Sequence, residues 1–191
     1  MNEHIEIEYK ILLSKEKFFS ILKYYQKQIN HDYIQINYYL THPILEEKKY
    51  MLRIREKDNH FEFTLKRPFQ NHILETNVSL NTQEKDDILQ HHFISNEITD
   101  ILRNEGIDIL DLKNQFSLTT HRYDILLKEG ILSLDYNTYL NQQDYELEFE
   151  VYDEENGYLK FLEILQMFQL EYHKNCPSKI SRVFNTIKKE G

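Results

Sequence analysis

The sequence predicts an α+β protein in which an antiparallel β-sheet curls into a barrel, with charged residues inside and helices packed outside. Three observations point there. Many short stretches alternate apolar and charged residues strictly, the period of a strand with two chemically different faces. Other segments space apolar residues by three and four, the pattern of a helix with one buried stripe. The charged strand faces carry both signs in quantity, so the apolar faces are the ones that helices must cover.

The first element is "IEIEYK", Ile5 to Lys10, with Ile5, Ile7 and Tyr9 on one face and Glu6, Glu8 and Lys10 on the other. It reads as one strand running to about Leu13. Ser14 then caps a helix to about Ile29, striped by Phe18, Phe19, Ile21, Leu22 and Tyr25. Tyr33 to His42 is a strand. "KKYMLRIREKDNHFEFTLKRP" holds two more, joined at "KDNH", and "HILETNVSL" is another. Thr82 to about Glu105 reads as two helices broken around His92 to Asn96, the second stopped by Gly106.

The second half repeats the plan. "QFSLTTHRYDILL", "GILSLDYNTYL" and "DYELEFEVYD" are strands, the first two joined through Lys128-Glu129-Gly130. A helix is expected from about Gly157 to Leu170 with Leu159, Leu162, Leu165 and Phe168 inward. A last helix begins near Pro177 or Ser178 and carries Ile180, Val183 and Ile187.

Composition narrows the function. The chain is 40% apolar and 29% charged, the balance of a globular protein that buries a core, and no apolar run is long enough to span a bilayer. "MNEHIEIEYK" is no signal peptide, and the single Cys176 excludes an internal disulfide, so a reducing, cytoplasmic setting is expected. A net charge of −9 argues against a general nucleic-acid or membrane-surface binder. None of the four glycines lies in a phosphate loop, so any phosphate must be held by side chains.

The strand faces supply those side chains. Lys10, Arg53, Arg55, Lys66 and Arg122 make a basic set; Glu6, Glu8, Asp135, Glu146, Glu148 and Glu150 make an acidic one, with Glu62 and Glu75 beside the arginines. Like charges about 4 Å apart repel by about 4 kcal/mol at an effective dielectric near 20. Such a lining suits a charged guest: arginine forks match phosphate oxygens, and clustered carboxylates are hard ligands for Mg²⁺ or Mn²⁺. The bland alternatives are a solvated strip for Glu6, Glu8 and Lys10, and a cross-strand ion-pair ladder linking Arg53, Arg55 and Lys66 to Glu62 and Glu75. His173 and Cys176 have H-x-x-C spacing, but two ligands make a poor zinc site.

In this pattern the sequence resembles the CYTH, or triphosphate tunnel metalloenzyme, family. Glu6-Ile7-Glu8-Tyr9-Lys10 resembles its N-terminal ExExK signature, "LRIR" and "FTLK" its paired arginines and lysine, and "LETN" its next acidic strand. "THRYD" is similar to its threonine–x–arginine strand, "LSLDYNTYL" to its aspartate strand, "YELEFEV" to its paired-glutamate strand and "PSKISRVF" to its C-terminal lysine–arginine helix. One departure is Thr41-His42, where the family often carries aspartate–threonine.

The resemblance implies one CYTH-type domain over residues 1–191, folded as an eight-stranded antiparallel tunnel with a charged interior and flanking helices. It implies a metal-dependent hydrolase of a triphosphate-bearing substrate: inorganic triphosphate, the simplest, or thiamine or nucleoside triphosphate. Lys10, Arg53, Arg55, Lys66, Arg122, Lys179 and Arg182 would grip the phosphates. Glu6, Glu8, Asp135, Glu146, Glu148 and Glu150 would hold Mg²⁺ or Mn²⁺, with Glu148 and Glu150 foremost and Glu146 at the tunnel mouth. Glu6, Glu8, Lys10 and Arg122 would form the catalytic centre, and Glu62 and Glu75 would line the tunnel. Monomer or homodimer, the protein would need neither nucleic acid nor membrane. The alternatives are a class IV-type adenylate cyclase and a non-catalytic triphosphate- or polyphosphate-binding module.

Overall fold

The computed structural model describes residues 3–92 and 94–190. In chain order its elements are β1 (Glu3–Glu6), β2 (Glu8–Leu13), α1 (Lys15–Tyr25), β3 (His31–Thr41), α2 (Pro43–Lys48), β4 (Met51–Lys57), β5 (His60–Phe69), β6 (His72–Leu80), α3 (Thr82–Leu89), α4 (Glu97–Asn104), β7 (Lys113–Leu126), β8 (Gly130–Tyr139), β9 (Gln142–Val151), α5 (Glu154–Met167) and α6 (Lys179–Glu190). The chain forms two compact units, Met1–Glu6 with Gln35–Leu118 and Ile7–Ile34 with Thr119–Gly191. Among the described residues no helix is long and apolar enough to cross a membrane.

In the first unit the strands run antiparallel in the order β1-β6-β5-β4-β3. The β4–β5 hairpin closes through Asp58-Asn59, both with positive φ, 50° and 60°. Two left-handed residues give the turn a twist that matches its strands, and Asp and Asn tolerate that conformation best. Leu52, Ile54, Phe63 and Leu65 fill the apolar face beneath Ile88 of α3 and Ile98 and Leu102 of α4. Each fully buried side chain of this size contributes about 1.5–3 kcal/mol. Capping boxes start both helices, Asn81 with Glu84 and Asn96 with Thr99. Gly106, at φ 78°, ends the second as the sequence indicates.

In the second unit the order is β7-β8-β9-β2, again antiparallel. Leu132, Leu134, Leu147 and Phe149 lie beneath Phe18 and Ile21 of α1 and Phe161, Ile164 and Leu165 of α5. In both units helices cover the apolar strand faces. Ser14 caps α1, its Oγ accepting from Lys17 N at 3.2 Å; the helix ends at Tyr25 and a 3-10 turn, Gln26–Gln28, takes up the rest of the expected span.

Three expectations need correction, and one helix was not anticipated. The single strand from Ile5 to about Leu13 is two, which makes nine strands among the described residues instead of eight. Glu6 pairs with Ile73 of β6 and Glu8 with Glu150 of β9, so the chain changes partners at Ile7. Alternation does not reveal such a change because the period continues through it. The α5 stripe is also different: Phe161, Ile164 and Leu165 are inward, while Leu159 and Leu162 are exposed. Asp153 caps the helix three residues earlier than expected, and Gly157 meets the sheet so closely that a Cβ there would lie 2.4 Å from Val151 Cβ. That contact sets the helix rotation. Phe19 of α1 is likewise outward. Finally, α2 is too short to announce itself by periodicity; His42 Nδ1 accepts from Ile44 N at 3.2 Å and Pro43 follows in the first turn. The residue that departs from the family pattern is therefore a helix cap.

Candidate functional site

The second unit gathers its charged residues from five elements. Arg122 of β7, Asp135 of β8 and Glu146 of β9 stand directly opposite one another across three strands, and Lys10 of β2 stands opposite Glu148. Register alone brings these to one face. Arg122 grips Asp135 with Nε and Nη2, at 2.7 and 2.6 Å, and also pairs with Glu148. Lys10 pairs with Glu8.

Helix α6 adds the other cations. Lys179 and Arg182, three residues apart, project from one helix side. Lys179 Nζ lies 2.8 Å from Asp135 Oδ2, 3.1 Å from Glu146 Oε1 and 2.6 Å from Glu148 Oε1. Arg182 meets Asp144 through Nε at 2.8 Å and also pairs with Glu146. The segment before α6 fixes its start on the β2 backbone. Asn175 accepts from Lys10 N at 2.8 Å and donates to Glu8 O at 2.9 Å, and Cys176 N donates to Lys10 O at 3.1 Å.

The buried ions set one another's protonation. Burial opposes charge on Arg122 and Lys179, but Asp135 and its neighbouring glutamates outweigh it and hold both above their usual ranges. Burial also opposes charge on Asp135 and Glu148; the nearby Arg122 and Lys179 hold both carboxyls below theirs. Glu146 goes the other way, pushed up to about 8 by burial. Adjacent carboxyls on one strand face thus differ in direction, one favouring the proton and the other the charge.

The first unit builds a sparser face. Lys66 pairs with Glu6 and, at 2.7 Å, with Glu75. Arg53 is buried at 7% exposure, and Arg55 Nε donates to Asn37 Oδ1 at 3.2 Å. Glu62 stands opposite Arg55 and accepts from Thr64 Oγ1 at 3.4 Å. Glu75 is held below the ordinary carboxylate range: burial opposes this, and the Lys66 and Arg53 charges prevail. The cross-strand ladder considered as a bland alternative is therefore present at Lys66 and Glu75.

Sequence reasoning placed Glu146 at a tunnel mouth, whereas its side chain is completely buried; of the three glutamates on that strand face, Glu150 is the exposed one. Register explains this: Glu146 sits opposite Asp135 in mid-sheet, and Glu150 opposite Ile131 near the strand end. The ExExK run is divided too, Glu6 belonging to the first unit and Glu8 and Lys10 to the second. Asp144 and Asn175 were not anticipated as site residues. The alternation that continues back from Glu146 to Asp144 is a signal that could have found the first; nothing in the sequence marks the second.

The donor set is one of hard oxygens, the chemistry that Mg²⁺ and Mn²⁺ prefer. Among the described residues, however, no group of three or more His, Cys, Asp or Glu side chains is arranged as metal ligands. Asp135, Glu146 and Glu148 do converge on one point, and Lys179 Nζ occupies it. The residues fit a divalent cation by type and burial. His173, at 86% side-chain exposure, makes an outer contact with Glu171.

A family model described as the CYTH domain matches residues 4–184. YjbK of Bacillus subtilis, which carries the provisional name of a triphosphatase, is 32% identical over 191 residues, 99% of each chain. A crystal structure from Bacillus halodurans, provisionally named an adenylate cyclase, is 40% identical, covers 96% of this chain and 100% of its own, and superposes with a TM-score of 0.89. HpAC1 of Hippeastrum, a provisional adenylyl cyclase described as having a dominant triphosphatase activity, is 18% identical over 95% of each chain at a TM-score of 0.76, which supports the fold alone. The chain belongs to the CYTH domain family.

Proposed function

We propose that the protein is a divalent-metal-dependent hydrolase of a triphosphate-bearing substrate, with inorganic triphosphate as the first candidate. The observation that carries this reading is the interleaved second-unit cluster, in which Lys10, Arg122, Lys179 and Arg182 are each held against carboxylates. A bare polyanion could take those cations only by leaving buried carboxylates unpaired, which costs several kcal/mol each. A metal–triphosphate complex brings both signs and lets the pairs exchange without uncompensated charge.

In the second unit, Lys10, Arg122, Lys179 and Arg182 are assigned to phosphate oxygens, and Glu8, Asp135, Glu146, Glu148 and Glu150 to the metal. In the first unit, Arg53, Arg55 and Lys66 take the phosphate role and Glu6 a metal role, with Glu62 and Glu75 as counter-charges. A divalent ion, when bound, supplies neutralisation of developing charge and activation of water. Arg122 offers the planar fork that matches two phosphate oxygens, and Lys10 and Lys179 act as point charges. The name of YjbK supports hydrolysis, and the net charge of −9 favours a small substrate over nucleic acid.

The test is product analysis with tripolyphosphate, thiamine triphosphate and ATP, each with Mg²⁺ and Mn²⁺. Phosphate release from tripolyphosphate is the expected outcome. The Bacillus halodurans relative's name favours a second reading, adenylate cyclase; cyclic AMP as the dominant product would establish it in place of the first. Glu148→Ala is expected to abolish turnover while near-native circular dichroism is retained. Full activity in that variant would remove Glu148 from the metal set.

A further inference from the structure

Buried polar groups in proteins are nearly always hydrogen-bonded, so the exceptions carry information. Among the described residues five buried side-chain atoms lack a partner, and four of them, Gln35 Oε1, Asn37 Nδ2, Arg53 Nε and Asn77 Oδ1, lie on the polar face of the first unit. Register places them together. Arg53 stands opposite Thr64, Thr64 opposite Asn77, and Asn37 opposite Arg55, with Gln35 two residues before Asn37 on the same side of β3. Gln35 and Asn37 are 2% and 1% exposed.

Turning over the amide of Asn37 or Asn77 does not cure this. Asn37 Oδ1 already accepts from Arg55 Nε at 3.2 Å, and Asn77 Nδ2 donates to Glu75 Oε1 at 2.7 Å. A flip would lose the first bond and set a carbonyl against a carboxylate in the second. On the second unit's polar face the comparable groups are satisfied: Thr120 Oγ1 donates to Asn137 Oδ1 at 2.7 Å, Asn137 Nδ2 to Asp144 at 2.9 Å and Ser133 Oγ to Asp124 at 2.7 Å.

We propose that Gln35 and Asn77 make this first-unit face a subsite selective for an oxyanion that arrives with hydrogen-bond donors of its own. Arg53 Nε and Asn37 Nδ2 are donors and meet phosphate oxygens. Gln35 Oε1 and Asn77 Oδ1 are acceptors, which phosphate oxygens repel; they require an O–H or N–H. Waters held by a divalent cation on the phosphate chain supply such donors, and so do the hydroxyl and amino groups of a nucleoside. The subsite depends on the triphosphate reading only for the identity of the oxyanion.

The experiment replaces Gln35 by methionine, similar in length and without the carbonyl, and follows binding by calorimetry and unfolding by differential scanning. The ligands are tripolyphosphate and ATP, each with Mg²⁺ or with chelator, at alkaline pH where the phosphates carry no proton. Removing an unsatisfied buried carbonyl raises Tm by about 2–4 °C. Losing its bond to the ligand weakens binding about tenfold in the arms that offer donors. A loss confined to the Mg²⁺ arms assigns the donors to metal-held water; a loss with metal-free ATP assigns them to the nucleoside. Unchanged affinity overturns the proposal, as does an equal loss with metal-free tripolyphosphate, or a fall in Tm together with affinity. Gln35→Leu, read in the same way, serves if Gln35→Met does not fold. Because turnover is not the readout, an absence of hydrolysis with this binding pattern intact would remove the hydrolase and leave the subsite standing.

Discussion

Arg122 holds Asp135 in a two-pronged grip, Nε to Oδ1 at 2.7 Å and Nη2 to Oδ2 at 2.6 Å, across the β7–β8 ladder where the two residues stand directly opposite. Asp135 is completely buried and also neutralises Lys179. Asp135→Asn removes the shared counter-charge from two buried cations, and urea unfolding is expected to show a loss of about 3 kcal/mol. Arg122→Lys keeps the charge and loses the fork. It should leave the circular dichroism spectrum intact and weaken tripolyphosphate binding by about tenfold or more, measured by calorimetry. Equal affinity in that variant would show that the fork is not what phosphate meets.

Glu75 gives the first unit a pH dependence of definite sign. Its folded carboxyl titrates below the ordinary value of 4.5 because the Lys66 and Arg53 charges outweigh burial. A depressed carboxyl contributes stability above its unfolded pKa and loses it as pH falls below about 4.5. Glu75→Gln should therefore be less stable than the parent at pH 7, with the difference shrinking as the solution is acidified. Parallel stability curves from pH 7 to pH 3 would contradict the assignment.

Gly157 is where α5 touches the sheet. Alanine in a helix interior gains up to about 1 kcal/mol over glycine. Here, however, its Cβ would lie 2.4 Å from Val151 Cβ, a branched carbon close to the backbone that cannot swing away. Overpacking costs about 1–3 kcal/mol and decides the sign. Gly157→Ala should lower Tm, and adding Val151→Ala should recover part of the loss, a coupling readable in a double-mutant cycle.

Cys176 is a poor nucleophile for a physical reason. Burial, with the Glu146 charge behind it, pushes its thiol up to about 12. Iodoacetamide at pH 8 should alkylate the folded protein far more slowly than the urea-unfolded chain, because only the thiolate reacts. Equal rates would place the thiol in solvent.

The repeating plan of the two halves was legible before any coordinates because a strand with one apolar face must display it every second residue. "LRIR", "FEFTLK" and "YELEFE" could be assigned to faces one residue at a time, and the burial of Ile54, Phe63 and Leu147 opposite Arg53, Glu62 and Glu146 follows that reading. Asp58-Asn59, Gly106 and Ser14 marked their turns and caps through their own backbone preferences. Leu159 and Leu162 misled because a leucine-rich helix has more than one apolar stripe; its rotation was set by Gly157, a residue with no hydrophobicity to read.

Alternation by itself therefore determined which side chains share a face, and so the chemistry of that face: hard acids interleaved with forked and pointed cations. It could not determine which acid faces which base. The successive hairpins β7-β8-β9 bring Arg122, Asp135 and Glu146 into line through their turn registers. The addition of β2 beside β9, and the docking of Asn175 on β2 that delivers Lys179 to three carboxylates, are pairings between segments far apart in the chain. Local preference carries periodicity and turns; contacts between distant segments depend on how whole surfaces pack, and only the folded chain settles them.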